Sequence, residues 1–259
     1  MEVNALAAGE SLPPALPPPL PGHTLLTQRW HDMVFVHWAV QASAVSHLFP
    51  RATRPDTLDG RTYVGVVAFA APSTRLAGAI QIGPMKEVNV RLYSVDGRGR
   101  QGVVFLSMDV TRPDMVVAAR ALLRLPYMWS RIDSPRPYPT AAGFRVRRRV
   151  PPRLGASVEI DARLPVTEQA SPLEQFLTAR WGLHTRTALG TAWVPISHPP
   201  LPLSRGTLVR CDQSLLEAAG VPAATAPPVS VLWSPGAEAR LGGPAHDVTS
   251  VARPQRRRR

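Results

Sequence analysis

The sequence is poor in cysteine and lysine, with one of each, Cys211 and Lys86, among 259 residues. A single thiol cannot form an internal disulfide, so the fold must rest on its own core. A chain of this length has ample core to do so. Cys211 has no evident base for a partner and is read as a small packing residue. No apolar run reaches the length of a membrane span. The opening "MEVNALAAGE" carries an acid at position 2 and no basic stretch, which argues against a secretory signal. The expectation is a cytoplasmic protein without a membrane partner. Metal-ligand spacings such as HxH, HExxH or a Cys pair are missing, as are the Walker loop and the GxSxG elbow. No metal and no cofactor are therefore expected. The glycine-rich "DGRGRQG" (96–102) lies between two strand-like runs and reads as a hairpin turn, whereas a phosphate cradle opens a helix.

Arginine and proline are abundant. The net charge of +12 raises the question of nucleic acid. Its distribution argues otherwise: "RVRRRVPPR" (145–153) and "RPQRRRR" (253–259) hold five arginines each, and without them 20 basic residues face 18 acidic ones. An arginine-rich tail can bind polyanions without specificity. No groove-reading motif is present, so specific nucleic-acid binding is not expected. Residues 1–23 include "LPPALPPPLPGH", and proline's missing donor and fixed angle make this an extended, disordered arm. Residues 244–259 read as a second, basic disordered tail, leaving 24–243 as one domain.

Between the tails the pattern is dominated by strands. "MVFVHWAV" (33–40), "TYVGVVAF" (62–69), "EVNVRLYSV" (87–95), "GVVFLSMDV" (102–110), "FRVRRRV" (144–150), "SVEIDARL" (157–164), "TALGTAWV" (187–194) and "VSVLW" (229–233) are rich in β-branched and aromatic residues. Helices are few. "TRPDMVVAARALLRL" (111–125) has Thr111 as its cap candidate. "SPLEQFLTARW" (171–181) opens with a capping box, Ser171 and Glu174, and "QSLLEAAG" (213–220) ends on a C-cap glycine. Many strands and short helices point to a mainly β fold, a barrel or sandwich.

The sharpest feature is "KEVNVRLY" (86–93). Its alternation puts Val88, Val90 and Leu92 on one face of a strand and Glu87, Asn89, Arg91 and Tyr93 on the other. Across the hairpin the same parity groups Phe105, Ser107 and Asp109. In a half-solvated sheet the polar face is a wet surface. In a barrel the outer face can pack against helices, while Glu87, Asn89, Arg91, Ser107 and Asp109 converge inside. Buried charge requires pairing, so Arg91 then needs Glu87 or Asp109 beside it. From alternation alone the two readings stand level. His37, inside an apolar run, is either a satisfied core histidine or a ligand-contacting one.

Six segments in order, "QRWHDMVFVHWAV", "LDGRTYVGVVAF", "EVNVRLYSVDGRGRQGVVFLSMD", "AARALLRLPY", "SPLEQFLTARWGLHT" and "SHPPLPL", resemble the bacterial YqjF-like family, domain of unknown function 2071. The likeness runs from about Thr27 to Leu241. It implies a relation to the acetoacetate decarboxylase-like superfamily and hence an antiparallel barrel or cone around a small-molecule cavity. That favours the interior placement of Glu87, Asn89 and Arg91. The superfamily's decarboxylase uses a lysine Schiff base. Matching Glu87 and Pro126 to its pattern places Tyr127 where that lysine stands, while Lys86 points to the opposite face from Glu87. Schiff-base decarboxylation is therefore not expected.

The sequence reading is a barrel whose cavity holds a small organic acid. Glu87 and Arg91 are the candidate catalytic pair, with Asn89, Ser107, Asp109, Tyr127 and His37 as binding residues. The enzyme version is a lysine-independent lyase, hydratase or isomerase. The rivals are a non-catalytic ligand-binding or structural protein and, third, a polyanion binder acting through its arginine-rich ends. A homo-oligomer is compatible with the sequence, which fixes no oligomeric state.

Overall fold

The computed structural model describes residues 10–134, 142–151, 154–161, 170–223 and 226–249. In chain order the elements are β1 (Thr24–Val40), α1 (Ala42–Val45), β2 (Thr53–Pro55), β3 (Thr62–Leu76), β4 (Ile80–Ile82), β5 (Met85–Asp96), β6 (Gln101–Val110), α2 (Pro113–Leu123), β7 (Tyr127–Asp133), β8 (Ala142–Arg148), β9 (Gly155–Asp161), α3 (Pro172–Thr178), β10 (Gly182–Thr187), β11 (Gly190–Ser197), β12 (Ser204–Arg205), β13 (Thr207–Gln213), α4 (Leu215–Ala218), β14 (Ser230–Ser234) and β15 (Glu238–Gly242). Seven strands close on themselves in the order β1-β3-β5-β6-β10-β11-β15, with β15 returning to β1. Every neighbouring pair in the ring is antiparallel except β6 and β10. The mainly β barrel with a few short helices is the architecture the alternating runs imply.

Closure decides which face of each strand is inside. Val34, Val36, Val64, Val66, Val88, Val90 and Leu92 point outward, where they share one core cluster with Ile132, Phe144, Val146, Val158 and Ile160. These last five belong to a second sheet, β7-β8-β9-β13, that branches from the barrel at β6. The apolar face of "KEVNVRLY" is thus covered mainly by another sheet, with Leu215 and Leu216 of α4 joining it, and not by a layer of helices. Each such side chain contributes about 1.5–3 kcal/mol when fully buried. Cys211 packs against the edge of this cluster, as a small apolar residue would.

Local signals have mixed outcomes. The capping box holds: the Ser171 hydroxyl accepts from the Glu174 N–H, and the Glu174 carboxylate accepts from the Ser171 N–H. Gly220 adopts φ +80°, a left-handed conformation that glycine takes without strain. In the β5–β6 hairpin, Asp96 Oδ1 accepts from the N–H groups of Arg98 and Arg100, fixing the turn. Gly97, Gly99 and Gly102 have GxGxxG spacing, but they join antiparallel strands and precede no helix. Thr111 is not the cap of α2. Arg112 holds that position without a side-chain bond, and Thr111 Oγ1 accepts from Lys86 N–H. The run 187–194 is not one strand either, because the chain turns between β10 and β11. Strands β7, β13 and β15 carry too little alternation to be seen in advance.

Both presumed tails touch the body. In the proline-rich arm, Glu10 accepts from the N–H groups of Asp59 and Gly60, and the carbonyls of Ser11, Pro13 and Pro14 accept from Gln101, Gln175 and Trp181. At the other end Ala245 bridges to Trp193, and Asp247 pairs with Arg98 and Arg100. Residues 1–9 of the arm and 250–259 of the basic tail, including its five arginines, lie outside the described residues. The other arginine run is divided by strand parity: Arg145 and Arg147 are exposed, whereas Arg148 is buried.

Candidate functional site

The inner face of the barrel carries the polar half of β5. A cavity of about 90 Å³ is lined there by Glu87, Asn89 and Arg91, by Tyr127 from the start of β7, by Val67 of β3, the cross-strand partner of Asn89, and by Phe35 of β1 beside it. For comparison, an engineered cavity of about 150 Å³ admits benzene.

Glu87 is the centre of the cluster. It is 3% exposed, and both carboxylate oxygens are engaged: Oε1 accepts from Asn89 Nδ2 at 2.9 Å, and Oε2 accepts from the Tyr127 hydroxyl at 3.3 Å. Burial pushes its carboxyl up to about 7, against the opposing pull of those two hydrogen bonds. Burial, and then the adjoining Glu87, push the Tyr127 phenol well above its ordinary value. At neutral pH the pair therefore comprises a protonated phenol and a carboxyl poised between its two forms, which suits a group that must both take and give a proton.

Arg91 is placed differently from the sequence reading. It pairs with neither Glu87 nor Asp109. Its Nη2 donates to the carbonyl of Leu177 at 3.1 Å, and its guanidinium lies 5.6 Å from the Phe35 ring centre and 5.7 Å from that of Tyr93. Its Nε is buried without a protein acceptor, and the Oδ1 of Asn89 is buried without a protein donor, among the described residues. Unpaired buried polar groups are costly, and a polar ligand in the cavity would offset that cost.

Ser107 and Asp109 are not in the site. The β5–β6 register slips by one residue between Val90 and Arg91, so that Phe105 faces Arg91 while Ser107 faces Val90 and Asp109 faces Val88. One extra residue in a strand reverses the parity of everything beyond it. Met108 and Val110 take the inward positions. Asp109 turns outward to the second sheet, where it accepts from Arg148 Nε at 2.9 Å, Arg148 Nη2 at 3.0 Å and the Ser130 hydroxyl at 2.6 Å. His37 does point inward, but beyond the cavity lining. Its ring sits 6.1 Å from both Phe35 and Tyr93, in space left by Gly65, where a Cβ would come within 2.8 Å of the ring. Both ring nitrogens lack partners among the described residues, and burial, reinforced by Arg91, holds its pKa well below the usual value. Lys86 lies outside the cavity with its amine 3.3 Å from Ser134 Oγ, so the chain's one lysine is kept away from Glu87.

The structure adds residues that strand patterns could not supply. Arg180, just past α3, is 4% exposed and lines the cavity. Its Nη1 pairs with Asp56 at 2.5 Å, its Nε donates to the Phe176 carbonyl at 2.6 Å, and its Nη2 has no protein acceptor among the described residues. His198 lines the cavity between Trp181 and Trp30, and burial lowers its pKa to about 4. The only prior signal for Arg180 is a charge set in the apolar context "FLTARWGL". Among the described residues there is no group of three or more His, Cys, Asp or Glu side chains placed to hold a metal, and no helix long and apolar enough to cross a membrane.

Comparison with known proteins agrees with the barrel architecture. Residues 27–238 match the model of DUF2071, described as an uncharacterized conserved protein. The uncharacterized protein YqjF of Bacillus subtilis (strain 168) is 24% identical over 204 residues, covering 77% of this chain and 84% of that one. Among solved structures, an acetoacetate decarboxylase-like enzyme from Sphingomonas wittichii RW1 superposes with a TM-score of 0.60 at 15% identity, over 88% of this chain and 95% of that one. The enduracididine biosynthesis enzyme MppR, complexed with pyruvate, superposes with a TM-score of 0.56 at 14% identity, over 87% of this chain and 91% of that one. The fold is the acetoacetate decarboxylase-like barrel.

Proposed function

The chain belongs to the DUF2071 family of uncharacterized conserved proteins, and within that family we propose that its barrel binds a small organic acid and catalyses proton transfer on it. The observation that carries this reading is the Glu87 carboxyl, buried on the cavity wall with a pKa of about 7 and hydrogen-bonded to Tyr127 and Asn89. The carboxylate of the ligand would sit against Arg91 and Arg180, whose Nε and Nη2 are the buried donors without protein acceptors. Glu87 would then remove or return a proton on the adjoining carbon, with Tyr127 hydrogen-bonded to it as the proton moves. No amine among the described residues lines this space, which favours the chemistry of an isomerase, hydratase or lyase without an imine. Native mass spectrometry of the purified protein should detect a bound acid. Incubation with small oxo and hydroxy acids in D₂O should then show C–H exchange by NMR in wild type, slowed about a hundredfold or more in Glu87→Gln. Exchange at an unchanged rate in Glu87→Gln, or a protein that binds no acid, overturns the reading.

A second reading has its own support. Both oxygens of Glu87 already have protein donors, and Arg180 already has Asp56, so the cluster could serve as a network that stiffens the barrel. In that case acids bind without exchange, or do not bind, and Tyr127→Phe lowers thermal stability without changing any turnover.

A further inference from the structure

Strand β6 changes partners along one edge. On its β5 side it is paired along nearly its whole length, from Gln101 to Val110. On its other side it pairs with β10 only at Val103, and with β7 from Met108 to Val110. Between these points, over residues 104–107, β6 has no strand-pair partner on that edge. A pocket of about 240 Å³ lies on the outside of this gap, lined by Leu106, Arg124, Pro126, His184, Thr185 and Arg186, among others. Phe105 and Leu125 line this pocket and also line the inner cavity. The two spaces are therefore backed by the same two side chains.

The outer pocket is electropositive. No acidic residue lines it. Arg186 is held toward it by hydrogen bonds from Nη2 to the carbonyls of Leu48 and Phe49. Arg124 caps α2 in a left-handed conformation, φ 50°, and neither guanidinium has an ion pair among the described residues.

We propose that this gap is the portal through which a small anionic metabolite reaches the barrel cavity, with Arg124 and Arg186 forming the outer anion-attracting ring and Phe105 and Leu125 the gate. The proposal rests on the organic-acid reading of the cavity for the identity of its cargo, but its geometry is independent of any reaction. Phe105 stays paired with Arg91 of β5, and its other edge has no strand pair, so rotation of its side chain would join the two spaces without disturbing the ladder. A mouth lined by two cations and no acid concentrates anions and raises their rate of arrival.

The test uses reagents rather than a ligand. In a Cys211→Ser background, Val67→Cys places the only thiol in the cavity lining on β3, two strands from β6 in the ring. Its labelling by anionic 2-sulfonatoethyl methanethiosulfonate and by neutral methyl methanethiosulfonate is followed by mass spectrometry. Replacing both Arg124 and Arg186 by Ala should slow the anionic reagent about tenfold at low salt and leave the neutral one unchanged. Phe105→Ala, or the milder Phe105→Leu if the first does not fold, should accelerate both. The portal is overturned if these substitutions leave both rates as they were, if the thiol stays unlabelled in the Phe105 variants, or if only Leu201→Ala, at the opposite rim of the cavity, accelerates labelling. Acid binding by the unaltered protein, measured separately, reports on the cavity reading whatever the route.

Discussion

Two buried polar clusters lie back to back on the β5–β6 hairpin. On the outer face, Asp109 receives the fork of Arg148 and the hydroxyl of Ser130, and both of its oxygens are engaged. On the inner face, Glu87 receives Asn89 and Tyr127, but the neighbouring Arg91 Nε and Asn89 Oδ1 have no partner among the described residues and the cluster borders a cavity. The outer cluster is closed and ties the barrel to the second sheet. The inner one is open and keeps a carboxyl near its titration point. The same residue types thus serve cohesion where both carboxylate oxygens are paired, and leave polar groups open to a ligand where some are not.

The largest test of this contrast is on turnover. Glu87→Gln should reduce proton exchange on the bound acid by about 10²–10⁴-fold, the usual contribution of a positioned acid–base group. If Arg148→Met has the same effect on exchange at equal folded fraction, the division of labour is wrong.

Stability should respond in the opposite way. Arg148→Met strands the Asp109 charge between the two sheets and should cost about 3–5 kcal/mol in urea unfolding. Replacing Asp109 by Leu in the same chain should recover much of it. A loss under about 1 kcal/mol would show that water reaches the pair.

The pH dependence separates the clusters again. Glu87 ionises near 4.5 in the unfolded chain and at about 7 in the folded one. Its folded form therefore holds the proton more tightly. The associated stability is fully present below pH 4.5 and is lost as pH rises through 7, a change of about 3 kcal/mol. Wild type should lose stability relative to Glu87→Gln between pH 5 and 8. Equal slopes for the two proteins over that window would contradict the buried carboxyl.

The smallest effect is expected at Ser107. Its hydroxyl is buried on the outer face without a partner among the described residues. Ser107→Ala should be neutral or slightly stabilising, and without effect on exchange. A loss of exchange would return this residue to the site.

Much of this arrangement is legible in the sequence. Alternation in "KEVNVRLY" assigns Glu87, Asn89 and Arg91 to one face and Val88, Val90 and Leu92 to the other, and it sets Lys86 apart from Glu87, because side-chain parity in a strand is a local property. The capping box of α3 and the turn at Asp96 are local for the same reason. Whether the polar face is wet or enclosed was not local. It was decided by ring closure through β15 and β1, whose pairings span most of the chain. The slip between Val90 and Arg91 moved Ser107 and Asp109 to the outer face, although nothing in "VFLSMD" itself marks an extra residue. Arg180 and Tyr127 reach the cavity from elements distant in sequence. The sequence by itself determined which side chains share a face along one strand. Only the tertiary structure decided which face encloses a cavity and which residues from other elements complete it, because register and closure depend on partners that no single segment contains.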